Sequence, residues 1–240
     1  SDPSNITTIT SISLPPNTSG VQSVAVSNGI LAAAISADPS TDPGLVMFAD
    51  TDGNNQVIVT VGALPDMITF TPDGTKLLSA NEGEPNGDYS IDPEGSISII
   101  DVTGGLAAID QSDVITLNFN AFDSQLATLL ADGVRIFGPG ASVSQDLEPE
   151  YIAVSDDNLM AYVALQENNA LATIDLTTNT IVSVSSLGFK DHSLVNNSLD
   201  TSDETDFIFN ATWPIYGMYM PDGIDYFNIG GTSYIITANE

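Results

Sequence analysis

Read as alternating apolar and polar positions, the chain is a series of short β-strands. Ile9-Thr10-Ser11-Ile12-Ser13-Leu14 and Ser96-Ile97-Ser98-Ile99 alternate at period two, and most other apolar runs are five to seven residues long and rich in β-branched side chains. Pro72-Asp73-Gly74, Asp52-Gly53-Asn54 and Asp156-Asp157-Asn158 separate them, and such residues supply the fixed or positive φ of tight hairpin turns. Only Asp123–Ala131 carries helical spacing, with Asp123 or Ser124 as the expected N-cap and Gly133 as the stop. An additional strand is expected around Asn5–Leu14.

The strands recur as a unit. One copy runs from Leu64-Pro65-Asp66 through Lys76–Glu82 and, after a polar stretch, Gly95–Asp101. A second runs from Glu148-Pro149-Glu150 through Met160–Glu167 and Ala170–Leu176. A third begins at Met220-Pro221-Asp222 and reaches Thr237-Ala238-Asn239-Glu240, and a looser first copy spans Val21–Asp38. Four short antiparallel strands per repeat predict an all-β chain, a β-propeller of about three and a half blades. Inserts are expected at about 119–146 and 187–219. The chain reads as one propeller domain over 1–240, continuing beyond its C-terminus, with a sheet edge left open for a protein partner or for self-association.

Charge narrows the function. Asp and Glu number 32 against 3 Lys and Arg, a formal net charge of −29. Charged residues are only 15% of the chain, so the deficit falls on the bases. This speaks against nucleic acid, whose phosphates require Lys or Arg in number. No apolar run approaches the 18 or so residues of a membrane-spanning helix, so no membrane insertion is expected. With no Cys and one His, neither zinc chemistry nor a cysteine nucleophile has its residues.

Aligned repeats place acids in register. Asp66, Glu150 and Asp222 each follow a Pro, with Gln22 in the loose copy; Glu82, Glu167 and Glu240 end the next strand, with Asp38 in the loose copy. In a propeller these positions form two acidic rings at one mouth of the central channel, suited to a hard cation such as Ca²⁺. The Glu82–Glu94 segment adds Glu84, Asp88, Asp92 and Glu94 as oxygen donors. The candidate metal ligands are therefore Glu82, Glu84, Asp88, Asp92, Glu94, Glu150 and Glu167. Arg135, Lys190 and His192 are the candidate anion-holding or ion-pairing groups, with Glu148 or Glu150 the expected partner of Arg135. Trp213, Tyr216, Tyr219 and Tyr226 are expected to fill the space between blades.

Several stretches together resemble the choice-of-anchor I domain family: Asn81–Tyr89 with Asp92–Ser96, Gly133–Ser142, Asp146–Tyr151, Leu165–Ala170, Tyr216–Tyr219 and Thr237–Glu240. That resemblance implies a seven-bladed propeller of secreted or cell-surface bacterial proteins, similar to mesenchyme-specific cell-surface glycoproteins and often found beside phosphoesterase or phytase-like modules. Family members continue past the Thr-Ala-Asn-Glu stretch, so this chain corresponds to their N-terminal half. The expected function is that of an extracellular binding and structural module stabilised by Ca²⁺, the alternative being a metal-assisted phosphoester hydrolase.

Overall fold

The computed structural model describes residues 8, 10–202, 204 and 206–239. Three four-stranded antiparallel sheets follow one another, each a simple meander. The first contains β1 (Thr18–Ser27), β2 (Ile30–Ala37), β3 (Pro43–Asp50) and β4 (Val57–Ala63); the second β5 (Pro65–Phe70), β6 (Lys76–Asn81), β7 (Ser96–Asp101) and β8 (Val114–Asn118). After α1 (Leu126–Asp132) and α2 (Val143–Asp146), the third comprises β9 (Pro149–Val154), β10 (Met160–Leu165), β11 (Ala170–Asp175) and β12 (Thr180–Ser186). The short pair β13 (Phe189–Asp191) and β14 (Tyr216–Met218) precedes a two-stranded sheet of β15 (Pro221–Ile229) and β16 (Thr232–Asn239).

The first strands of successive sheets lie side by side: β1 by β5, β5 by β9, and β9 by β15. Each sheet is thus a blade with its first strand innermost, and the chain is a β-propeller of three blades and a half. Middle strands are covered on both faces, which explains their nearly unbroken apolar runs. Leu77 and Ile100 pack toward Val46, Phe48 and Val59 of the first blade. Their neighbours Leu78, Ile97 and Ile99 face Ile152, Val163 and Ile174 of the third. Burial of such side chains contributes about 1.5–3 kcal/mol each. Polar bonds also cross between blades: the Lys76 Nζ donates to the Leu176 carbonyl at 2.5 Å and to Asn179 Oδ1 at 3.1 Å.

Several expectations need correction. Residues 10–14 form no strand, and the rest of that stretch as far as Ile9 lies outside the described residues except Thr8, which is also not in a strand. The helix starts at Leu126 after a 3₁₀ turn over Asn120–Gln125, and its N-cap position, Gln125, makes no side-chain cap bond. Asp123 is drawn away because it accepts the Ser144 N–H at 2.8 Å. Gly133 does end the helix, at φ +94°. Of the late aromatics, Tyr226 stacks on Tyr162 between blades, with centroids 6.1 Å apart. Tyr216 is 70% exposed and fills no gap.

Candidate functional site at the acidic mouth

The acidic positions come together because each blade closes its first hairpin in the same way. Pro65 pairs with Asn81 and Pro221 with Asn239, while Pro149 pairs with Leu165. The equivalent pair in the first blade is Thr18 with Ala37. The Glu82 N–H then donates to the Leu64 carbonyl at 2.8 Å, and the Asp38 N–H to the Asn17 carbonyl at 3.0 Å. Leu64, Asn17 and Met220 all hold positive φ just before the first strand. Asp38 is therefore a true counterpart of Glu82. Gln22 lies in the middle of β1 and is not a counterpart of Asp66. Glu240 lies outside the described residues.

The long loop after Glu82 is tied to the segment before the third blade. Gly83 takes φ +73° and passes against the backbone of Glu94 and Gly95, where a Cβ would meet atoms at 2.8 Å. A methyl on Gly95 would collide with the Leu147 carbonyl. The Gly95 N–H donates to the Ser144 carbonyl at 3.1 Å, and Gln145 Nε2 to the Asp92 carbonyl at 2.9 Å. Ser142 and Gln145 close a reciprocal cap on α2, and this fixes the approach to Glu148.

These constraints bring together Asp66, Glu82, Glu84, Glu148, Glu150, Glu167 and Asp222. Burial, followed by the charges of Glu84, Asp66, Glu150 and Glu148, pushes the Glu82 carboxyl up to about 8. Burial again comes first for Glu150, also raised to about 8, with Asp66 and Asp222 next. Glu148 is raised to about 7 by burial and then by Glu167, Asp146 and Glu84. Asp66 is raised by burial and by Asp222. Partly buried carboxyls that repel one another favour whatever neutralises them, a proton or a cation. Among the described residues, no three Asp, Glu or His side chains converge closely enough to hold a metal ion as they stand.

The remaining candidates separate. Asp88 is at the exposed loop tip, accepting the Ser90 hydroxyl at 2.6 Å, which lowers its carboxyl pKa. Glu94 accepts Asn120 Nδ2 at 2.8 Å, and Asp92 lies toward Asp146, beside the main group. Arg135 pairs with Glu167 at 3.1 Å, not with Glu148 or Glu150. It also donates to the Glu167 carbonyl and lies 3.6 Å above the centre of the Phe137 ring. Lys190 is on β13 and His192 directly after it, where Nδ1 is 2.7 Å from the Asn197 carbonyl oxygen; no ion pair among the described residues joins either to the acids.

A pocket of about 340 Å³ opens beside the group, between the Glu84–Tyr89 loop and a wall of Phe137, Glu148 and Glu167. Sequence reasoning did not assign Tyr89, Phe137 or Glu148 to it. The Glu-Pro-Glu order at 148–150 was the available signal, since alternate residues on a strand start can both reach one mouth. Among the described residues, no helix is long and apolar enough to cross a membrane.

No curated protein is recognisably similar in sequence. Among solved structures, the β-propeller domain of Myceliophteria thermophila Cps50 (Swd1) is similar at 10% identity and TM-score 0.47, covering 87% of this chain and 45% of that one. KlHsv2 with a replaced loop matches at 12% identity and TM-score 0.47, over 90% and 49% of the two chains. Kuenenia stuttgartiensis hydrazine synthase matches at 10% and 0.45, over 90% and 57%. The chain thus spans about half the length of the structures it matches. The model of the choice-of-anchor I domain matches residues 1–240 throughout, and the chain belongs to the choice-of-anchor I domain family.

Proposed function

We propose that this domain is an extracellular or cell-surface binding module whose acidic mouth takes up a divalent cation, Ca²⁺ foremost, and thereby stabilises the blades around it. The observation that carries this reading is the grouping of Asp66 and Glu150, on the adjacent inner strands β5 and β9, with Glu82, directly after β6, while Arg135 is paired to Glu167. Hard carboxylate oxygens suit calcium, which accepts irregular six- to eight-fold coordination. Its binding would draw in side chains that now stand apart and displace their protons. Surface association fits the anchor-type family.

The hydrolase alternative needs bases free to hold a phosphoryl group. Of the two bases that reading would use, Arg135 is engaged by Glu167 and Phe137, and Lys190, on β13, is joined to the acids by no ion pair among the described residues, which favours the binding reading. Calorimetric titration with CaCl₂ in two buffers of different ionisation enthalpy tests it. The expected result is saturable uptake with proton release, weakened in Glu82→Gln. Absence of uptake at millimolar calcium, or equal uptake in that variant, would overturn the reading.

A further inference from the structure

Glu148 is only 7% exposed, its carboxylate lines the pocket described above, and no described residue donates a hydrogen bond to that carboxylate. The Glu148 oxygens reach the pocket, and a carboxylate so confined, with no donor among the described residues, gains when a cation enters the space it faces. The pocket supplies more than charge. Tyr89 and Phe137, 41% and 37% exposed, are among its walls, together with Glu84 and Glu167.

We propose that this pocket binds an organic ammonium group, carried either by a lysine side chain of a partner protein or by a free alkylamine.

Three features select this ligand over a bare metal ion. Aromatic faces attract ammonium groups, whereas they offer a hard cation nothing. The carboxylates do not converge on one point, which suits an –NH₃⁺ whose three donors diverge better than it suits a metal. The space of about 340 Å³ also admits an alkyl stem, for which the Pro85 ring and the two aromatic walls are apolar neighbours. The wall already holds one cation in this manner: the Arg135 guanidinium lies over Phe137 and binds Glu167. That pairing absorbs the Arg135 charge and leaves Glu84 and Glu148 for the ligand. Selectivity over other acidic surfaces of the chain follows from the aromatic walls and the burial of Glu148. The proposal goes beyond the calcium reading and does not depend on it, because Glu82 and Glu150 do not line this pocket.

Calorimetry on the whole chain, at pH 7.5 in 150 mM NaCl, uses Nα-acetyl-lysine methylamide and 1,5-diaminopentane as probes and 1-pentanol as the uncharged control. Saturable one-to-one binding is expected for at least one amine and none for pentanol. Glu148→Gln and Tyr89→Ala are each expected to weaken it at least tenfold, with Asp156→Asn, in an exposed turn, leaving it unchanged. Preference for the lysine derivative points to a protein partner, and preference for the diamine to a free amine. Because Tyr89 is exposed in a loop, its variant decides the matter if Glu148→Gln fails to fold. Binding by neither amine, or binding that Tyr89→Ala and a folded Glu148→Gln leave intact, overturns the proposal. Glu82→Gln is expected to weaken calcium uptake far more than amine binding, because Glu82 does not line the pocket, and this keeps the two readings separable.

Discussion

The Asn168 side chain fixes the position of Glu148: its Oδ1 accepts the Glu148 backbone N–H at 3.1 Å. The Nδ2 of the same amide donates to the Asp146 carbonyl at 2.6 Å and to the Arg135 carbonyl at 2.9 Å. Asn168 is fully buried, so no water replaces these bonds if the amide is removed. One residue at the β10–β11 turn thus joins the Arg135 segment, the end of α2 and the acidic mouth.

Asn168→Ala is accordingly expected to cost about 3 kcal/mol, because buried groups lose their partners. For a chain of this size that corresponds to about 6–12 °C in Tm. Differential scanning calorimetry reads it directly, and a drop below about 2 °C would show that the amide does not hold the site.

Stability is expected to fall between about pH 5 and pH 8. Glu82, Glu148 and Glu150 have folded-state values raised to about 8, 7 and 8, so between the ordinary carboxyl range and those values the folded state binds more protons than the unfolded. Their stabilising effect is complete below about pH 4.5 and disappears as pH rises toward 8. Self-repulsion from a net charge of −29 acts in the same direction. Asp73, Asp101 and Asp175, lowered mainly by Thr hydrogen bonds, act oppositely at acidic pH, where the folded state weakens as they protonate. Melting curves at pH 5.5 and 8.0, at one ionic strength, are expected to give the higher Tm at pH 5.5. Glu82→Gln should flatten the difference, and a higher Tm at pH 8.0 would contradict the assigned shifts.

Lys76→Met removes the ammonium bonds to Leu176 and Asn179 that join the second and third blades. About 2 kcal/mol is the expected loss, typical of hydrogen bonds to a charged donor. Urea denaturation should show a lower midpoint, with calcium uptake unchanged. An unaltered midpoint would mean that apolar packing alone holds these blades together.

Arg135→Ala should cost less, about 1–2 kcal/mol. The ion pair with Glu167 is one-third exposed and therefore weak, while the stacking on Phe137 adds a comparable amount. Urea titration is again the measure. A loss beyond about 4 kcal/mol would show that Arg135 carries the mouth structurally.

The blades were legible in the sequence because their middle strands are covered on both faces and their turns carry residues of fixed geometry, such as Asp73-Gly74. The register of the acids was legible where a Pro marks the strand start, as at Pro65, and failed at Gln22, where Thr18 occupies that place. The acids of the Glu82–Glu94 segment do not stay together as their spacing suggested. Side chains close in sequence are turned apart by contacts with residues far along the chain: Asn120 holds Glu94, and Gln145 holds the Asp92 carbonyl. The Arg135 partner could not be read either, since Asn168, far along the chain, bonds the Arg135 backbone on both sides and so places it beside Glu167.

The central claim, that the acidic mouth takes a divalent cation, is tested most directly by thermal unfolding at pH 7.5 with EDTA and then with excess calcium, at constant ionic strength. Saturation at 100 times the dissociation constant adds about 2.7 kcal/mol, or about 5–11 °C in Tm for a chain of this size. The expected result is a rise of that order in the wild type and little or none in the Glu82→Gln, Glu150→Gln double variant. An unchanged Tm, or the same rise in both proteins, would contradict a cation site at the mouth.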